Sequence, residues 1–266
     1  MGCLAALECH ARDRTTAERG LEAAYAALMR VETLMHPRRS GSDLSRLNGA
    51  RAGERVSVHP WTSATLRLCR KLHELSNGLF DPALPGMGSI SNVLEVDKHS
   101  VRLTRATRLD LGGIAKGYAV DRAIQCMKAQ GAYAGLVNAG GDLRVYGAHP
   151  WPIVLRKAEQ LGPQLTLANG ALAVSDPASM LRPAEHQGYY APASSLSAPP
   201  LSYVAVQASS AAMADGMTKV LMLAPASQRL ALLRRTRTRL AALDSHIFDS
   251  DNSSVQGTPV QLVPGV

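Results

Sequence analysis

Residues 109–121, LDLGGIAKGYAVD, hold the densest set of groups in this chain that could do chemistry. Gly112 and Gly113 stand just before a helix-forming run. A glycine turn in that position presents backbone amides near a helix N-terminus, where anions bind well. Lys116 adds a full positive charge, and Asp110 precedes the turn as a group for a metal or a ligand hydroxyl. The spacing is neither that of a P-loop nor that of a dinucleotide fingerprint. On local composition alone, the turn serves equally well as a tight strand-to-helix connection.

Three more segments carry candidate groups. VNAGGDLRVYG, residues 137–147, sets Asp142 after two glycines, and its pattern favours a hairpin with Gly140 and Gly141 at positive φ. GLFDPA, residues 78–83, puts Leu79, Phe80 and Asp81 in a loop. The plain readings there are a core phenylalanine and an aspartate that makes a turn before Pro82. ADGMTKV, residues 214–220, opens a helix. Asp215 either caps that helix, with Thr218 and Lys219 on its first turn, or is an oxygen ligand for a hard cation such as Mg²⁺ beside a phosphate-neutralising lysine. The eight histidines contain no H-x-x-x-H or H-x-H pair, which argues against zinc catalysis, and G-x-S-x-G is absent.

These groups need elements to position them. Residues 2–10 read as a short strand. Residues 15–36 read as a helix capped by Thr15 or Thr16, with Leu21, Ala24, Leu28, Val31 and Met35 on one face. A second helix is expected through TSATLRLCRKLHELS, capped by Thr62 or Ser63 and stopped at Asn77-Gly78. Residues 92–104 suggest a hairpin turning at Asp97-Lys98. LDLGG leads into a helix that ends at Gly131. WPIVLRKA, QLTLANGALAVS and LSYVAVQAS read as strands, and QRLALLRRTRTRLAAL as a last helix whose arginines coat its wet side. Residues 176–200 are rich in Pro, Ala and Ser and carry no clear pattern. Strands and helices mix without strict alternation, so an α+β fold is expected rather than a doubly wound parallel sheet.

Composition sets the outer bounds. The chain has 266 residues, 46% of them hydrophobic, which is enough for a real core. Aromatics are only 4%, so that core is built from Leu, Val, Ala and Met. The net charge of +8 fits either phosphate-bearing partners or an Arg-rich surface. No aromatics interleave with the Arg234–Arg239 cluster, which argues against nucleic-acid binding. Four scattered cysteines without a C-x-x-C pair fit a reducing compartment. No signal peptide, lipid-attachment pattern or run of about 18 apolar residues is expected, so a cytoplasmic location without an integral membrane segment is the reading of the chain as given.

Taken in order, the segments resemble the ApbE family of FAD:protein FMN transferases, from Met1 to about residue 245. MGC, LMHPRRSGSDLSRLN, SNGLFDPA, LDLGGIAKGYAVDRA, LVNAGGDLRVYG and ADGMTKV carry the likeness. The resemblance implies flavin contacts at Met1, Leu79, Phe80, Asp81 and Asp110, and an FAD contact at Lys116. It implies a Mg²⁺ held by the carbonyl of Gly113 and the side chain of Asp215. The family's second metal side chain, a Thr four residues after that Asp, falls on Lys219, while Thr218 lies one residue early, about 100° around a helix. Either Thr218 reaches the metal through an irregular turn, or the Lys219 ammonium replaces part of the metal's charge. Other departures are Arg38 at an aromatic flavin contact, Val174-Ser175-Asp176 for a Thr-Ser-Gly segment, and only a remnant of a His-x-x-Asp-Pro-x-x-Gly segment from His186.

What the resemblance implies overall is an enzyme with Asp215 and Lys219 in catalysis. It would move FMN from FAD to a Thr or Ser hydroxyl of an acceptor flavoprotein and release AMP, with Mg²⁺ assisting. An FAD-binding protein without transfer and an FAD pyrophosphatase stay open as alternatives. The implied architecture is α+β, with mixed sheets, flanking helices and two subdomains in a single domain over residues 1–250, followed by a polar tail at 251–266.

Overall fold

A computed structural model describes residues 3–157, 160–176 and 203–243. Along the chain come β1 (Ala5–His10), α1 (Arg14–Met35), α2 (Asp43–Gly49), β2 (Arg55–Ser57), α3 (Pro60–Leu75), α4 (Ile90–Val93), β3 (Leu94–Val96) and β4 (Ser100–Leu103). Then follow α5 (Ala115–Ala129), β5 (Ala134–Ala139), β6 (Asp142–Tyr146), β7 (Trp151–Lys157), β8 (Gln160–Leu167) and β9 (Ala171–Ser175). After residues outside the description come β10 (Val204–Ala208), α6 (Ala211–Leu223), α7 (Ala226–Thr236) and β11 (Arg239–Leu243).

The main sheet has six strands in the order β1-β5-β6-β9-β10-β11, every neighbouring pair antiparallel. Side chains alternate between its two faces. Val137, Ala139, Ala171, Val204 and Val206 point to the face covered by α1, α5 and α6 and join the principal core. Leu143, Val145, Leu172 and Ala205 point the other way, against Trp151, Leu155 and Leu167 of the β7–β8 hairpin. A smaller sheet, β2-β4-β3, lies with α2, α3 and α4. Its Val56, Val101 and Leu103 belong to the same continuous core as α1 and α5, so the two parts share one interior. The α+β expectation holds.

Local chemistry explains the element ends, and several differ from the sequence reading. Asp13, not Thr15 or Thr16, caps α1: its carboxylate accepts the Thr16 amide at 2.8 Å and the Thr16 hydroxyl at 3.0 Å. The expected stripe is otherwise present, with Ala24, Leu28, Val31 and Met35 buried and Leu21 partly so. Each such large apolar side chain contributes about 1.5–3 kcal/mol when fully buried. His59 caps α3 and Pro60 takes the first position, where a missing N–H does no harm. Thr62 and Ser63, the expected caps, are instead buried inside that helix. The Asp97 hairpin and the Gly140-Gly141 turn form as expected, the two glycines at φ +61° and +93°.

The last expected helix is cut in two. Arg237 adopts the left-handed conformation that ends α7, and Arg239–Leu243 pairs with β10 as an edge strand. The helical spacing of Leu230, Leu233, Arg237 and Leu240 therefore misleads in part: Leu232 and Thr236 are the buried residues of α7 and Leu233 packs partly buried, while Leu230 and Leu240 are exposed. Open backbone at the β10 edge decided the conformation of RLAAL, overriding helix propensity. The tail at 251–266 lies outside the described residues.

Candidate functional site

The site forms where the first turn of α5 meets the second turn of α6. One glycine lets these helices approach. A methyl on Gly117 would stand 2.6 Å from the Ala211 carbonyl carbon and 2.8 Å from Ala212 Cα, so only glycine fits that crossing. Gly216 of α6 lies against the Leu72 side chain of α3, with Phe80 and Ile114 at ordinary contact distances of 3.7 and 3.8 Å. Asp121 of α5 fixes the register: its carboxylate accepts the Ala211 amide at 2.9 Å and the Ala212 amide at 3.0 Å, and pairs with Arg144 of β6 at 2.6 Å.

At the crossing lie two aspartates and two lysines. Asp215 is fully buried. Its Oδ2 accepts the Gly117 amide at 3.1 Å. Its Oδ1 pairs with Lys219 Nζ, one turn along α6, and lies 3.8 Å from Lys116 Nζ. Lys116 in turn pairs with Asp142 Oδ2, and Asp142 is also fully buried. The second Asp142 oxygen, Oδ1, is buried and has no hydrogen-bond partner among the described residues. Both lysines keep part of their side chains open, 27% for Lys116 and 15% for Lys219. The cluster thus presents its cations outward and keeps its anions beneath.

Electrostatics follow from that layering. Burial raises the Asp142 pKa and the Asp215 charge adds to the rise, with Lys116 and Lys219 opposing. Burial works in the same sense on Asp215, but Lys116, Lys219 and the Gly117 amide outweigh it and hold Asp215 below the usual carboxylate range. Burial disfavours the Lys116 ammonium, yet Asp142 and Asp215 more than compensate and raise its pKa. At neutral pH, Asp215 and Lys116 are therefore ionised.

The other predicted residues take varied places. Gly113 sits inside the site: a side chain there would touch the Phe80 ring at 3.3 Å and Lys219 Cγ at 3.6 Å. Phe80 is buried and its amide donates to Ser76 Oγ at 3.0 Å, while Leu79 packs partly buried beside the core. The Asp81 carboxylate accepts the amides of Ala83 at 2.9 Å and Ile90 at 3.2 Å and faces His73 at 3.3 Å, which is turn-building work. Asp110 Oδ1 accepts the Gly112 amide at 2.7 Å. The amides of Ile114 and Ala115 go to the Leu111 carbonyl, so the expectation of open amides at this turn is corrected for Gly112, Ile114 and Ala115. Asp215 is not the cap of α6. Ser210 is, and Asp215 stands inside the helix, facing α5. Met1 and His186 lie outside the described residues.

The Mg²⁺ expected on Asp215, Gly113 and Thr218 does not fit this donor set. Lys219 Nζ already covers Asp215 Oδ1. Thr218 Oγ1 donates to the Asp215 carbonyl at 2.7 Å, shares a 2.7 Å bond with Ser175 and receives Lys219 Nζ at 3.1 Å. Among the described residues no group of three or more His, Cys, Asp or Glu gathers as a metal site.

Asp142 is the residue that sequence reasoning passed over, treating it as the end of a hairpin turn. Strand parity contains the missing signal. Leu143 and Val145 face one way, so Asp142, Arg144 and Tyr146 face the helices, and each finds a partner on α5: Lys116, Asp121 and Lys128.

The fold places the chain among α+β proteins built like solved flavin transferases. It superposes on the apo form of Pseudomonas stutzeri flavinyl transferase ApbE with a TM-score of 0.73, at 22% identity over 88% of each chain. An ApbE protein from Thermotoga maritima gives a TM-score of 0.75, at 19% identity over 91% of this chain and 96% of that one. The chain belongs to the ApbE family, whose model matches residues 1–243. Curated relatives are the FAD:protein FMN transferases of Rhodobacter capsulatus, 31% identical over 45% of this chain, and of Chlamydia muridarum, 28% identical over 50% of it. The matched stretches span 29% and 51% of those two proteins' own lengths. No helix among the described residues is long and apolar enough to cross a membrane.

Proposed function

We propose that this chain transfers FMN from FAD to a Thr or Ser hydroxyl of an acceptor flavoprotein and releases AMP. The observation that carries the reading is the outward-facing pair Lys116 and Lys219, held over buried Asp142 and Asp215 in a member of this family. A pyrophosphate brings two negative charges, and its cleavage puts more charge on the leaving phosphate. Cations fixed in a partly desolvated site stabilise that build-up without having to reorganise.

In the transfer, the acceptor oxygen forms a bond to the FMN phosphorus. The bond from that phosphorus to the bridging oxygen breaks, and its electron pair leaves with AMP. The hydroxyl proton passes to solvent. Lys116 and Lys219 hold the pyrophosphate oxygens. Asp215 orients both lysines through one carboxylate oxygen while the Gly117 amide fixes the other. Asp142 keeps Lys116 charged and aimed. Mg²⁺ has no part in these steps, because Lys219 covers the oxygen that would bind it.

Asp215→Ala tests the reading. Both lysines lose their common anchor, and transfer is expected to fall by about a hundredfold or more, the scale seen when one transition-state stabilising group is removed. Transfer within about threefold of the unaltered chain would remove Asp215 from the mechanism.

A further inference from the structure

Lys219 occupies a position with two unusual properties. Its stem runs beside Gly113, with Cγ 3.6 Å from the point where a Gly113 side chain would begin, and its ammonium pairs with Asp215 Oδ1. It therefore runs alongside Gly113 and covers the Asp215 oxygen that a divalent ion would need. A Mg²⁺ ion demands close, near-octahedral oxygen ligands at about 2.0–2.1 Å. Asp215 Oδ1 cannot serve it while the ammonium is there, and Thr218 Oγ1 already bonds to the Asp215 carbonyl and to Ser175.

Charge counting points the same way. Two carboxylates, Asp142 and Asp215, face two ammoniums, Lys116 and Lys219, so the cluster is neutral as it stands. Before FAD binds, a divalent ion added to this buried set would leave two positive charges without local partners, which a low-dielectric site resists. A lysine at an i,i+4 distance from its aspartate is covalently tethered and needs no loading from solution.

We infer that Lys219 is the resident cation of this site, and that the chain binds FAD through the Lys116–Lys219 pair without a divalent metal. This rests on the FAD reading above. It assigns to Lys219 charge neutralisation of the pyrophosphate, and it predicts that Lys219→Thr, which uncovers that carboxylate oxygen and supplies a hydroxyl four residues after Asp215, turns a metal-independent site into a metal-requiring one.

The test uses two readouts that need no turnover. In the first, Mn²⁺ is titrated into the metal-stripped protein, with and without FAD, and free Mn²⁺ is followed by electron paramagnetic resonance. The unaltered chain is expected to bind no stoichiometric Mn²⁺, and Lys219→Thr to bind one ion. In the second, FAD affinity is measured by flavin fluorescence in chelator and in excess Mg²⁺. The unaltered chain should hold FAD equally in both, within about twofold, whereas Lys219→Thr should lose about thirtyfold or more in chelator, the scale for removing one member of a buried charge pair, and recover with Mg²⁺.

One stoichiometric Mn²⁺ on the unaltered chain, or FAD released from it by chelator, overturns the inference. Failure to bind FAD under either condition defeats the flavin reading instead, and the Mn²⁺ titration of the apo protein then still decides whether Lys219 has displaced the metal. If Lys219→Thr does not fold, as judged by its thermal melt, the measurements on the unaltered chain decide alone.

Discussion

Replacing Gly117 with alanine sets two effects of opposite sign against each other. Within a helix, alanine is favoured over glycine by about 1 kcal/mol. Against that, the new methyl would lie 2.6 Å from the Ala211 carbonyl carbon and 2.8 Å from Ala212 Cα, both backbone atoms that cannot rotate away. Ordinary contact requires α5 and α6 to part by about 1 Å. Overpacking of this kind costs about 1–3 kcal/mol. The same separation stretches the 3.1 Å bond from the Gly117 amide to Asp215 beyond useful range, and a hydrogen bond to a charged group is worth about 1.5–3 kcal/mol. The net expectation is a loss of about 2–4 kcal/mol, or a melting temperature lower by roughly 5–15 °C. Urea unfolding followed by circular dichroism measures it directly. Gly49→Ala is the control, since no atom lies within 4 Å of its new methyl; it should change stability by no more than about 1 kcal/mol. A Gly117→Ala protein as stable as the original would refute the close crossing that builds the site.

Other consequences can be measured on the same protein. Lys116→Met leaves Asp142 buried without its cation and should cost about 3 kcal/mol, while adding Asp142→Leu should restore part of that loss; equal and additive losses would show that the pair does not interact. Asp121→Ala strips the α6 N-terminus and Arg144 of their shared acceptor and should cost about 3–5 kcal/mol by urea unfolding, with a loss under about 1 kcal/mol contradicting its structural role. Acid should weaken the α3 start. Burial and the Arg30 charge lower the His59 pKa, so the stability that neutral His59 contributes is present above about 6.5 and is lost as pH falls below it. His59→Asn keeps a cap acceptor and should flatten that part of the pH–stability profile; an unchanged slope would assign it to another group.

Much of the site was legible because its parts are local. LDLGG before a helix, the Asn-Ala-Gly-Gly hairpin and ADGMTKV are each short patterns, and the structure places Gly113, Lys116, Asp215, Thr218 and Lys219 within one region of the α5–α6 crossing. What stayed hidden depends on partners distant in sequence. Asp215 looks like a cap until α5 is laid against it, because Ser210 is a better cap and the Gly117 amide lies 98 residues away in the chain. The Gly112 amide looks open until Asp110 is seen to fold back on it. The RLAAL segment reads as helix because nothing local announces an unpaired β10 edge. Asp142 was hidden by a hairpin turn strong enough to explain its glycines without any chemistry.

Group transfer is tested by incubating the purified chain with FAD and a flavoprotein acceptor, then reading flavin fluorescence on a denaturing gel and AMP by chromatography. A fluorescent acceptor band is expected, with one AMP released for each FMN attached. Free FMN in place of the band, or FAD recovered intact, would contradict it.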